Sequence, residues 1–408
     1  MNEDDVAEHA GLAHVATASF IASRVVPTGG FAVALAGGVA IARVGERSGA
    51  RVGYGASLAA MLQAVAVMGP LRIGIPLTQA LSAPLLGRLH ARGATPAASF
   101  AACAVIRLLD QIVVTAFYIW IVAGGLDAYA TTYDALTSKI PGLPSGTSAA
   151  LVATGIGLLV WTVFASVVQV LVYRSALVAW PRAGAESAAR ATAGATEVPA
   201  SVAPPGLAVA EPAHRRRYDP RLVAAAASVA FVVLLVTTAW AALAAVAGWL
   251  AVAWATARGD REPVRAGLAL GALLAVGALV FGLVGGSGLE LTLQRTARVV
   301  LLVLVATWLR CAAGEEGLRE VFRRVLRRVH GVAPMAEASA ILDRLGATGA
   351  LAASSRALVE TVRHVPRRPQ PLAAAVLGWI ATEAARFERP RSAREEPSAV
   401  SSRARVVP

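Results

Sequence analysis

Long, unbroken apolar runs constrain this chain more than any other feature. Residues 98–124, 148–175, 264–284 and 296–313 each read as one membrane span, and 221–257 reads as two that turn at Thr237-Thr238. About 20 residues of helix cross a hydrocarbon core. The runs are continuous rather than alternating, which argues against a β-barrel. Of the 408 residues, 56% are hydrophobic and 15% charged, and the mean hydropathy is +0.61. A soluble domain carries roughly 25% charged residues, so an ordinary cytosolic enzyme, a disordered protein and a secreted disulfide scaffold are excluded. The expected fold is an all-α polytopic integral membrane protein with about 8–11 membrane segments. It forms two helical halves joined by a flexible linker.

The net charge is +13, carried almost wholly by arginine, since Lys139 is the single lysine. The basic clusters 214–221, 258–265 and 319–328 alternate with apolar runs, so the positive-inside rule places them on the cytoplasmic face and the 285–294 loop opposite. No aromatic-interleaved basic surface accompanies them, so nucleic acid is not an expected partner. The acidic start, MNEDDVAEH, is unlike a cleavable signal peptide, and the first hydrophobic segment is expected to serve as its own insertion signal. A multi-pass protein of the plasma membrane follows.

Four regions divide the chain: an N-terminal membrane half (1–180), a cytoplasmic linker (181–216), a C-terminal membrane half (217–388) and a disordered basic tail (389–408). The linker, rich in Ala, Pro, Gly, Ser and Thr, has the composition of a flexible tether. The N-terminal half opens on two broken apolar segments. Residues 10–44 are interrupted by Pro27-Thr28-Gly29-Gly30, and 53–87 by Gly69-Pro70-Leu71-Arg72 and Pro76. Each piece is short for a full span. Each segment is therefore expected to fold back as a hairpin, which keeps Arg43, Arg47 and Arg51 on the same side as Arg88 and Arg92. The spacing of Pro27 to Pro70 and Arg43 to Arg88 suggests a weak internal repeat of the broken-helix kind used by transporters. The run Pro371–Ala381 reads as an incomplete or tilted segment with the tail cytoplasmic.

The segment AVIRLLDQIVVT places Arg107, Asp110 and Gln111 inside an apolar run, with Arg107 and Asp110 on one helix face at i, i+3. A charge near the bilayer centre costs roughly 2.5–3.5 kcal/mol on insertion scales. Such residues mark either a polar site for substrate or headgroup, or a structural ion pair that pins a bundle. Arg72, in the break of the second hairpin, is a further candidate for an anionic group. Gln63, Gln79 and Gln169 are intramembrane amides suited to interhelical hydrogen bonds. Enzyme chemistry has no motif: the six histidines make no HExxH, and there is no GxSxG elbow and no P-loop. Cys103 and Cys311 cannot form a metal cluster by themselves. No catalytic residue, metal or cofactor is expected.

The stretch GEEGLREVFRRVLRRVHG carries Leu318, Val321, Phe322, Val325, Leu326 and Val329 on one helical stripe and five arginines on the other face. It follows a span directly and is too polar to cross. It reads as an amphipathic helix on anionic lipid or as a docking helix for a cytoplasmic partner. Pro334 opens a second helical stretch to about Val365.

Residues 217–388 resemble the transmembrane T component of energy-coupling factor (ECF) transporters. The likeness rests on Arg217-Tyr218-Asp219-Pro220-Arg221 before the first span, on the span RTARVVLLVLVATWL, and on the run from Gly317 that ends Gly331-Val332-Ala333-Pro334. It implies a component of an uptake transporter. Its cytoplasmic helices, within 315–365, would grip separate ABC-type ATPase subunits beside a membrane substrate-binding component. Leu318, Phe322, Val325 and Leu326 are the implied docking residues. Where that family has Ala-Arg-Gly motifs, this chain reads SSRALVETVRHVPRRP, with Arg356 and Arg363 as substitutes. The N-terminal half is similar to the flippase-like domain of lysylphosphatidylglycerol synthases in VVPTGGFAVAL, GPLRIGIP and RLHARGATPAASFAACAVIRLLD. That likeness implies ATPase-independent translocation of a lipid or lipid-linked precursor, with Arg72, Arg107 and Asp110 as polar candidates.

Overall fold

A computed structural model describes residues 3–25, 30–70, 75–140, 142–194, 218–256, 261–284, 288–329, 332–345, 348–365 and 369–385. The described residues are 91% helical and include no strand. In chain order the helices are α1 (Glu3–Val25), α2 (Gly30–Met68), α3 (Ile75–Ala91), α4 (Pro96–Phe117), α5 (Leu126–Thr137), α6 (Thr147–Gly194), α7 (Pro220–Val236), α8 (Trp240–Thr256), α9 (Arg261–Val284), α10 (Leu289–Arg328), α11 (Ala333–Arg344), α12 (Thr348–His364) and α13 (Pro369–Ala385). A π-helical turn, Tyr118–Val122, extends α4. The fold is all-α and of the polytopic membrane type. Helices at Gly30–Met68, Pro96–Trp120, Thr147–Trp180 and Leu289–Arg328 are long and apolar enough to cross a membrane, and four shorter apolar helices accompany them. The outward faces of α4, α6 and α7 expose Val113, Val160 and Val236 among other apolar side chains, as lipid-facing surfaces do.

Helix α2 is continuous in name only. At Gly49 the backbone takes φ 86° and ψ 166°, a region open essentially to glycine. Residues 45 and 53 would lie about 12 Å apart along a straight helix, yet a β-carbon at position 53 would lie 3.0 Å from the Gly45 Cα. The chain thus doubles back at Gly49. Helix α1 lies against the first half of α2, where the Ser19 hydroxyl donates to the Val33 carbonyl (2.5 Å) and accepts from the Gly37 amide (2.8 Å). Helix α3 lies against the second half, where Ser57 donates to the Ala80 carbonyl (2.6 Å). Arg43 and His90 both reach Glu46, so the basic ends of the two segments meet.

Helix α1 is buried along nearly its whole length. Ala10, Ala13, Ala16 and Ala22 leave little bulk between its larger residues Leu12, Val15 and Phe20, which lets neighbours approach closely. Those neighbours include α11, α12 and α13. The carboxyl-terminal helices therefore belong to the core built on α1 and α2. Ser355 donates to the Ala18 carbonyl (2.9 Å), and Ser354 lies 3.2 Å from both His14 Nε2 and Glu383 Oε2.

A second core joins α7, α8 and α10. Asp219 caps α7 by accepting from the Arg221 amide (2.9 Å), and Pro220 packs on Gly317. The turn between α7 and α8 begins at Thr237. Arg298 donates to the last carbonyls of α7, those of Leu234 and Leu235, where the helix end favours a cation. Gly314 (φ 68°, ψ 167°) bends α10 in the same glycine-only geometry as Gly49. The two cores meet there: Arg310 donates to the Val67 carbonyl (3.0 Å), Gln63 to Glu315 (3.2 Å), and Phe322 touches both. Helix α6 runs on to Gly194, through residues where composition suggests a tether. Its Ala, Glu and Arg there are strong helix formers. Residues 195–217 lie outside the described residues.

Candidate intramembrane site

Three helices turn polar stripes toward one another. Thr95 caps α4 by accepting from the Ala98 amide (3.2 Å), with Pro96 at the first position. That start sets the register. Ser99, Cys103 and Arg107 share the buried face at i, i+4 and i+8, while Val105, Leu109, Ile112 and Val113 face outward. On α6, Thr162, Ser166, Gln169 and Tyr173 repeat at i, i+4, i+7 and i+11, all buried. Helix α3 adds Thr78, Gln79 and Ser82, also buried.

Hydrogen bonds join these stripes into one chain. Arg107 is 2% exposed, and its Nη2 donates to Gln169 Oε1 at 2.5 Å. The Cys103 thiol reaches the same oxygen at 3.3 Å. Gln169 Nε2 donates to Ser82 Oγ at 2.7 Å, and Ser82 donates to the Thr78 carbonyl at 2.7 Å. The Thr78 hydroxyl donates to Asp110 Oδ2 at 2.8 Å. Beside this chain the Tyr173 hydroxyl donates to Gln79 Oε1 at 2.8 Å. The Arg107 guanidinium also lies 5.6 Å from the Phe31 ring centre, a cation–π distance.

The arrangement bears on one of the two alternatives, the structural ion pair. Arg107 and Asp110 share a helix side but form no ion pair with each other among the described residues. Arginine turns toward α6 and aspartate toward α3, because each adjoining helix offers a neutral partner at the right height. Asp110 and Gln111 are half-buried. Arg107 Nε, Gln79 Nε2 and Thr162 Oγ are buried without a partner, which leaves hydrogen-bonding capacity inside the seam. Gln63, Gln79 and Gln169 all bond between helices. Arg72 lies outside the described residues.

The docking residues are placed less simply. Leu318 is 2% exposed and Leu326 5%, each inside an apolar core, and Phe322 is half-buried between the two cores. Leu318 and Leu326 are largely covered by the protein's own helices, Leu326 also lining a groove beside α11, and Phe322 keeps part of its surface. Val325 is 55% exposed. Arg356 and Arg363 are exposed on α12.

Sequence reasoning singled out Arg107 and Asp110 but not Thr78, Ser82, Cys103 or Tyr173. Their signal is polar residues at helical spacing within apolar runs, visible only once three helices are compared. No family model, curated protein sequence or solved structure matches the chain.

Proposed function

We propose that this chain is a multi-pass transport protein of the plasma membrane that handles a polar headgroup at mid-bilayer, without an ATPase of its own. One observation carries this reading. Arg107 and Asp110 straddle the midpoint of the 25-residue apolar helix Pro96–Trp120, and neither neutralises the other. Two unpaired mid-membrane charges are costly, and an ion pair at i, i+3 would serve a purely structural role more cheaply. Instead each charge is held by neutral groups that can exchange partners. A phospholipid headgroup carries a phosphate for arginine and, often, an amine for aspartate. The half-buried Asp110 and Gln111 adjoin the lipid-facing residues Leu109 and Ile112. The π-turn Tyr118–Val122 and the positive-φ residues Gly124 and Gly125 end α4. Such bulges recur at functional sites, and they give α4 a place to hinge. The flippase-like likeness of the N-terminal half agrees with this reading.

The test uses proteoliposomes containing NBD-labelled phosphatidylethanolamine. Dithionite bleaches only label it can reach. Bleaching beyond the outer-leaflet fraction is expected for the wild-type chain and should fall in Asp110→Asn. Wild-type vesicles that bleach like protein-free vesicles would overturn the proposal.

A second reading is the T-like component of an ECF-type transporter. What favours it is the outward placement of Val325, Arg356 and Arg363 and the packing of Pro220 on Gly317. Stoichiometric recovery of an ABC-type ATPase with the tagged chain, lost in Arg356→Glu/Arg363→Glu, would move the assignment there.

A further inference from the structure

We infer that the groove between the end of α10 and α11 holds the acyl segment of an anionic phospholipid, with Arg327 and Arg328 taking its phosphate. This inference is independent of the seam. The groove has a volume of about 330 Å³ and is lined by Leu326, Arg327, Val329, Ala336, Ala340 and Asp343, with the Ser339 hydroxyl beside them. That lies at the small end of the range for ligand pockets, about 300–1,000 Å³. It has room for an acyl segment but not for a partner helix, which is roughly 10 Å across.

The floor is apolar and the rim cationic. Asp343 is bridged by Arg323 (3.1 Å) and Arg327 (3.3 Å), so its charge is compensated. Arg328 is exposed and has no ion-pair partner among the described residues. Val325, Val329 and Val332 are exposed next to it. An apolar cleft with a surplus of arginine complements one molecule that is both anionic and oily. Proximity supplies the lipid. The groove begins 12 residues past the Gly314 bend that ends the apolar part of α10, a helical path of about 18 Å. A basic amphipathic helix of this kind, directly after an apolar one, binds anionic lipid surfaces.

The test places the full chain in nanodiscs doped with a diazirine phosphatidylglycerol or a diazirine phosphatidylcholine, followed by peptide mapping. Each arginine near an anionic surface contributes about fivefold, so two predict labelling of 326–340 about twenty-five-fold higher with the anionic lipid. Arg327→Gln/Arg328→Gln should abolish the preference while thermal melts stay unchanged, because both side chains are exposed. Ala336→Trp, which fills the groove without changing charge, should remove the label for both lipids. Equal labelling by the two lipids, labelling confined to α4 and α6, or a co-purified protein that shields 326–340 would each overturn the inference.

Discussion

Replacing Gln169 by leucine removes the hub of the seam at nearly constant volume. Three interhelical bonds go: the acceptor for Arg107 Nη2 at 2.5 Å, the same oxygen's weak bond from the Cys103 thiol at 3.3 Å, and the donor to Ser82 at 2.7 Å. Hydrogen bonds between neutral groups on membrane helices average about 0.6 kcal/mol, and bonds to a charged group contribute about 1.5–3 kcal/mol. The sum is a loss of about 2–3.5 kcal/mol. Arg107 dominates it, because its buried Nε already lacks a partner and the guanidinium would be stranded. Arg107→Met alone strands only the neutral amide and should cost less. Arg107→Met/Gln169→Leu removes both groups together, which is often nearly neutral. The double variant should therefore be more stable than Gln169→Leu alone by about 1 kcal/mol or more. Equilibrium unfolding in mixed micelles reads all four corners of this cycle. A Gln169→Leu cost below about 0.5 kcal/mol, or strictly additive costs, would refute the coupling.

Other perturbations probe the scaffold. Gly49→Ala and Gly314→Ala meet no atom within 4 Å, so each should cost about 1–3 kcal/mol through backbone strain alone, measured by the same unfolding. Gly38→Ala would drive a β-carbon into the Tyr173 hydroxyl and should cost at least about 1–3 kcal/mol. Arg298→Met should destabilise the α7–α10 unit by about 1.5–3 kcal/mol, seen as faster proteolysis between α7 and α8. His9, buried and bonded to Ser48 at 2.7 Å, is held below its ordinary value of 6.5, chiefly by desolvation. A depressed histidine stabilises the fold above its unfolded pKa, and that contribution is lost as pH falls through the folded value. The Tm should drop between pH 7.5 and 5, and His9→Gln should flatten the curve.

Much of the helical layout was readable from local signals. The α7–α8 turn follows from Thr237-Thr238, and the change from an apolar to an amphipathic pattern before Glu315 is legible, though the bend at Gly314 is not. Arg107 and Asp110 stood out because charge is rare in membrane helices. Their partners did not, since Gln169 lies 62 residues from Arg107 and Thr78 lies 32 from Asp110. Pairwise spacing on one helix left an ion pair and a polar site open, and tertiary contacts give each charge a neutral partner instead. The stripe through Leu318 and Leu326 mixes buried positions with the exposed Val325 and Val329. Periodicity cannot say what covers such a face, and here the protein's own cores cover part of it. The burial of α1 beneath α11–α13 was equally hidden. Alanine-rich helices look alike whether they face lipid or protein, and the packing joins segments more than 300 residues apart.

The measurement that bears most directly on the seam as a transport site is dithionite bleaching of NBD-labelled lipid with Arg107→Met/Gln169→Leu. This variant is designed to keep its fold while losing the buried charge. A folded variant whose vesicles bleach only the outer leaflet, beside wild-type vesicles that bleach further, is the predicted result. Equal bleaching by the folded variant and the wild type would contradict it and leave the seam as a structural clasp.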